Sequence, residues 1–135
     1  MKEKTTALSL ISFVHIVSFE SILRGIYEKT GRIEASFASK MLATLKPEMP
    51  IWDSIVLSKL HIKPSQNPDK EKRLRKTVEI YNDIIGWYAR FEQSPEAQRF
   101  VEEFDCAFPE YKGFSKMKKI DFLIWSSGDS DPFSK

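Results

Sequence analysis

Between Asp69 and Gln93 the chain carries Leu74, Val78, Tyr81, Ile85 and Tyr88 at spacings of three and four residues, with Ile80, Ile84, Trp87 and Phe91 widening the same stripe. A strand would alternate its faces every second residue, so this run fits a long amphipathic helix. A helix with so broad an apolar face has to be covered by other elements, and their sequence signals are local and clear. Ser94-Pro95-Glu96 supplies an N-cap, a proline at the first helical position and an acid in the first turn, which predicts a helix over Pro95 to Ala107. Its inward residues are expected to be Ala97, Phe100, Val101, Phe104 and Phe108, with Cys106 a small buried hydrophobe in 104-FDCAF-108.

Upstream, residues 5 to 29 read as one helix, capped by Thr5 or Thr6, with Leu8, Ile11, His15, Phe19, Ile22 and Ile26 on one stripe. A second stripe through Leu10, Val14 and Val17 makes its first half apolar almost all round, as in a central helix. The run 7-ALSLISFVHIVSF-19 is too short to span a bilayer, and Glu3 and His15 interrupt any signal-peptide pattern. Gly31 marks a break, after which 33 to 45 reads as a helix with Ile33, Phe37, Ala38, Met41, Leu42 and Leu45 inward. Pro47 and Pro50 bracket a connection to a helix from about Trp52–Ser54 to His61, and 63-KPSQNPDKEK-72 reads as a loop. Gly86 inside the long helix is expected to permit close helix contact. Ser115 caps a last helix through Ile120, Leu123, Ile124 and Trp125. With only five glycines and no alternating strand pattern, the expected fold is all-α: a single compact domain of about six helices over 1–126, followed by a fraying tail at 127–135.

The charge balance of 21 basic against 19 acidic residues leaves a net +2, so affinity for a polyanion has to come from local clustering. The single Cys106 excludes an internal disulfide and fits a reducing, cytoplasmic setting. Two histidines without CxxC or HExxH spacing predict no metal site. No phosphate-binding loop, dinucleotide fingerprint, GxSxG elbow or paired-carboxylate motif is present, and no cofactor is expected.

In 49-MPIWDSIVLSKL-60, Asp53 stands at the N-terminus of a helix, where a carboxylate accepts from orphan backbone N–H groups and benefits from the helix dipole. The segment 37-FASKMLATLKPEMPIWDSIVLSKLHI-62, extending toward residue 30, resembles the region of helix-hairpin-helix DNA glycosylases that leads from the hairpin's second helix into the aspartate-bearing helix. Pro50-Ile51-Trp52-Asp53 takes the places of that family's proline, two residues and aspartate. The resemblance implies that Asp53 is the catalytic carboxylate, stabilising positive charge on the sugar as a flipped-out base departs. The stretch 30-TGRIEASFA-38 departs from the family's glycine-rich phosphate-holding hairpin: Arg32 and Glu34 occupy glycine positions. Ser36 occupies the position of the strand-cleaving lysine, with Lys40 a helical turn further on.

Arg32, Lys40, Lys59, Lys63, Lys72, Arg73, Arg75 and Lys76 are the candidate phosphate-contacting residues, diluted by Asp69 and Glu71. The leading expectation is a cytoplasmic helical domain built like these glycosylases that binds DNA or another partner without robust catalysis, with no membrane association. Two alternatives stay open: a divergent base-excision glycosylase centred on Asp53, and a helical protein-interaction module whose basic loop meets an acidic partner.

Overall fold

In the computed structural model, residues 16–126 are described. Among them lie six α-helices: α1 (Phe19–Thr30), α2 (Ala35–Leu45), α3 (Ser54–Lys59), α4 (Lys70–Glu92), α5 (Pro95–Ala107) and α6 (Lys116–Ser126). A 3-10 turn at Pro109–Tyr111 joins the last two, and no strand occurs among the described residues. The all-α expectation holds, and most helix boundaries have a local cause. Ser94 accepts from Ala97 N–H with Pro95 at the first helical position, and Asp69 accepts from Lys72 N–H. Ser115 Oγ accepts from Lys118 N–H at 3.1 Å. Gly31 ends α1 in the left-handed region at φ 72°, its N–H donating to the Tyr27 carbonyl. His61 closes α3 with φ 57°, bringing Ile62 N–H onto the Leu57 carbonyl at 2.9 Å.

The single helix expected from 5 to 29 is interrupted. Val17 and Ser18 are non-helical, and Ser18 starts α1 through a capping box with Ser21, each side chain accepting from the other's backbone N–H. Thr5, Thr6, Leu8, Leu10, Ile11, Val14 and His15 lie outside the described residues, as does the tail at 127–135.

The long helix α4 is the organising element: α1, α5 and α6 all pack on it, α2 packs on α1, and α3 packs on α6. Its Leu74, Ile80, Tyr81, Ile84 and Tyr88 are buried in one continuous core with Leu23, Leu42, Val56, Ile120 and Ile124. Burying a side chain of this size contributes roughly 1.5–3 kcal/mol. Gly86 does not serve close helix contact, since a Cβ there would meet only the Nη1 of Arg90 on its own helix, at 3.2 Å.

Two helix faces are turned away from expectation. On α2 the buried residues are Ala38, Ser39, Leu42 and Ala43, which leaves Phe37 and Met41 exposed. The small pair Ala38–Ser39 lets α2 approach the 50–53 segment, where Ser39 Oγ accepts from Trp52 N–H at 2.8 Å. On α5, Cys106 is exposed because Phe104 faces in, and two residues rotate a helix by roughly 200°. Phe108 is likewise exposed rather than inward. A buried ion pair ties α6 to α5: Lys119 Nζ donates to Asp105 Oδ1 at 2.6 Å and to the Lys112 carbonyl at 2.9 Å.

Candidate functional site

The Pro50–Asp53 segment is held from two helices. Tyr81 Oη donates to the Pro50 carbonyl at 2.7 Å from α4, and Ser39 of α2 takes the Trp52 N–H. The Tyr81 ring stacks on Phe19 at 4.0 Å, and Phe19 stacks in turn on Trp52. These contacts aim the first turn of α3, so Asp53 has little freedom. Its Oδ1 accepts from Val56 N–H at 2.8 Å, which is the capping bond expected from the sequence. Its Oδ2 is closed to solvent and has no hydrogen-bond partner.

Asp53 belongs to a small acidic cluster at the junction of α3, α4 and α6. Tyr88 Oη donates to Asp121 Oδ1 at 2.7 Å. Burial pushes the Tyr88 phenol above its ordinary value, with the neighbouring Asp121 charge adding to the effect. Burial also raises the Asp121 carboxyl; its bond from Tyr88 and the charge of Lys118 oppose this, while the charge of Asp53 adds to it. The arrangement makes a positioned, largely dry pair of acids. A carboxylate that stabilises a developing cation has to face the reacting group. In this structure Asp53 presents one oxygen to its own helix and the other to the interior.

A second feature lies on the other side of Trp52. A cleft of about 390 Å³ runs between the N-terminal turn of α2, the loop after α3 and the first half of α4. Ser36, Phe37, Trp52, Ser65, Arg73 and Thr77 are on its walls, and Asp53 is not. Glu34 occupies the cap position of α2 but makes no side-chain capping bond. The N–H groups of Ala35, Ser36 and Phe37 therefore lack acceptors among the described residues, and all three residues line the cleft. Across from them Arg73 is half-buried, with its Nε closed to solvent and without a partner. No hydrogen bond or ion pair holds its guanidinium among the described residues, so a charged donor with unused capacity stands in the wall of a cavity.

The other candidate basic residues divide by their partners. Arg32 sits 3.4 Å from Glu34, Arg75 3.3 Å from Glu71, and Lys76 3.4 Å from Glu79, so their charges are largely offset locally. Glu71 is shared with Arg24 of α1, whose hydrogen bond holds its carboxyl below the usual range. Lys59 is half-buried on the last turn of α3. Lys40, Lys63 and Lys72 are exposed, and their side chains carry no ion pair among the described residues. Lys63 precedes Pro64 of the cleft wall, Lys72 precedes Arg73, and Lys40 follows Phe37 by three residues on α2. Sequence reasoning missed Phe37 as a surface residue, because helix-spaced apolar residues read as core. It also passed over Ser39 and the hydrogen bond of Tyr81, which depend on partners far away in the chain.

Among the described residues no group of three or more His, Cys, Asp or Glu side chains is placed to hold a metal ion, and no helix is long and apolar enough to cross a membrane. No protein-family model matches the chain, and no curated protein or solved structure matches it.

Proposed function

We propose that this chain is a helical nucleic-acid-binding domain without robust catalysis, which receives a backbone phosphate in the cleft between α2 and α4. The observation that carries this reading is Arg73 on the cleft wall, unpartnered among the described residues, in one cavity with the first turn of α2, whose N–H groups lack acceptors among them. Orphan N–H groups at a helix start and a guanidinium fork are complementary to a phosphate. Lys63, Lys72 and Lys40 are exposed and close in sequence to residues of the cleft wall, which suits a strand continuing past the bound phosphate. The likeness of residues 30–62 to helix-hairpin-helix glycosylases supports DNA as the polymer, and the enclosed Oδ2 of Asp53 supports binding without base removal.

Fluorescence anisotropy with labelled DNA tests this. Binding should weaken steeply as salt rises. Arg73→Gln should weaken it by about tenfold or more, the worth of one charge-assisted hydrogen bond, while the melting temperature is retained. Absent or salt-independent binding, or full affinity in R73Q, refutes the proposal.

A second reading has an observation of its own. Phe108, Tyr111, Phe114, Phe122 and Trp125 are exposed along α5, the 3-10 turn and α6. An aromatic surface of this kind favours a protein-interaction module. Co-purification of a protein partner that is lost in Phe114→Ser and Phe122→Ser, with no DNA affinity, would favour it over the first.

A further inference from the structure

The cleft's chemistry goes beyond an anion site. Phe37 is 55% exposed, because the buried face of α2 is made by Ala38, Ser39, Leu42 and Ala43. It lines the same cavity as Arg73, and its own backbone N–H is one of the acceptor-free donors. An apolar ring face and a phosphate-complementary wall therefore share one pocket. Ser36 and Ser65 add hydroxyls between them, and Thr77 is already engaged, its Oγ1 donating to the Arg73 carbonyl. Glu34 is the one carboxylate on the wall, and Arg32 lies 3.4 Å from it, offsetting its charge at the rim.

A ligand matching both walls carries a flat apolar ring within one nucleotide's reach of a phosphate. The volume of about 390 Å³ falls in the range of small-ligand clefts and suits a single nucleotide rather than a duplex. In a duplex the base faces are covered by stacking, so a base that lies on Phe37 has to be unpaired. Stacking on an exposed aromatic beside a basic groove is the usual physics of single-strand recognition.

We infer that the cleft takes an unpaired nucleotide of a nucleic-acid strand, with the base on Phe37 and the phosphate between Arg73 and the first turn of α2. This rests on the proposed function above and sharpens it from nucleic acid in general to a single-stranded segment.

Anisotropy titrations of the whole chain with a labelled oligothymidylate and with a labelled duplex of equal length test the inference. The wild type should bind the single strand more tightly. Phe37→Ala should weaken single-strand binding at least fivefold, as expected for the loss of one base–aromatic stack, and change duplex binding less than about twofold. Because Phe37 is exposed, the far-ultraviolet circular dichroism and melting temperature of F37A should match the wild type. R73Q should weaken both. If F37A affects both probes equally, or the duplex binds more tightly, the inference is wrong while the nucleic-acid reading stands. If neither probe binds, both fail. If thymidine monophosphate alone displaces the oligonucleotide with equal affinity, the ligand is a free nucleotide and the strand assignment is overturned.

Discussion

Removing one oxygen atom from Tyr81 tests how the Pro50–Asp53 segment is held. In Tyr81→Phe the ring that stacks on Phe19 at 4.0 Å is kept, and only the hydroxyl that donates to the Pro50 carbonyl at 2.7 Å is lost. Tyr81 is 1% exposed and Pro50 is fully buried, so water does not replace the missing donor. Leaving a buried carbonyl unsatisfied costs about 1–3 kcal/mol. Ser39→Ala performs the converse experiment on the same segment: it strips the acceptor from Trp52 N–H at a position with no exposure, and it should cost a similar ~1–3 kcal/mol. Both bonds hold neighbouring residues of one short segment, so once one is gone the other fixes less. The double variant should therefore lose less than the sum, by at least roughly 0.5 kcal/mol. Urea denaturation followed by tryptophan fluorescence measures this, with the midpoint moving and the slope unchanged. A loss below about 0.5 kcal/mol for Y81F, the scale of ordinary surface changes, refutes the argument. It would mean that the segment ahead of Asp53 is wetter and looser than the two bonds imply.

Three further outcomes are expected. Asp53→Ala should lose about 0.5–2 kcal/mol because Val56 N–H is orphaned, whereas Asp53→Asn, which keeps the capping oxygen, should lose much less; equal losses in denaturant melts would contradict a hydrogen-bonded cap, and base release from damaged DNA that vanishes in D53N would establish the catalytic alternative. Gly86→Ala should stabilise by up to about 1 kcal/mol, since the nearest obstacle is the flexible end of Arg90, and a lowered melting temperature would show a closer packing than this. Asp121 has its carboxyl raised in the fold, so the native state binds more protons than the unfolded chain above the ordinary carboxylate pKa of about 4. Its contribution to stability is accordingly full below that pH and declines as pH rises through the folded value; D121N, which keeps an acceptor for Tyr88, should lack this decline, and parallel pH–stability curves for the two proteins would refute it.

What could be read from the chain and what could not divides along the range of the interactions. The breaks at Gly31, Asp53, Asp69, Ser94 and Ser115 were legible because a cap bonds to N–H or C=O groups within one helical turn. Even so, Ser18 was overlooked within a run of apolar residues that reads as one continuous helix, although its capping box with Ser21 is just as local. The capping role of Asp53 was legible for the same reason. The closure of its second oxygen was not, because burial of an atom that bonds to nothing in its own helix is set by how the elements pack.

The amino-acid sequence by itself determined the six helices found among the described residues and most of their ends, since each follows from residues a few positions apart. Only the tertiary structure decided which side of an ambiguous helix is buried. On α2 the apolar residues span more than one face, and the close approach of the 50–53 segment selects Ala38 and Ser39 for the interior, leaving Phe37 outside. On α5 the choice of Phe104 puts Cys106 at the surface. The cleft is likewise a tertiary product. Arg73 is one of many basic residues in the sequence, and it becomes distinctive only because the fold leaves its buried Nε without a partner among the described residues and places it in one cleft with an uncapped helix start.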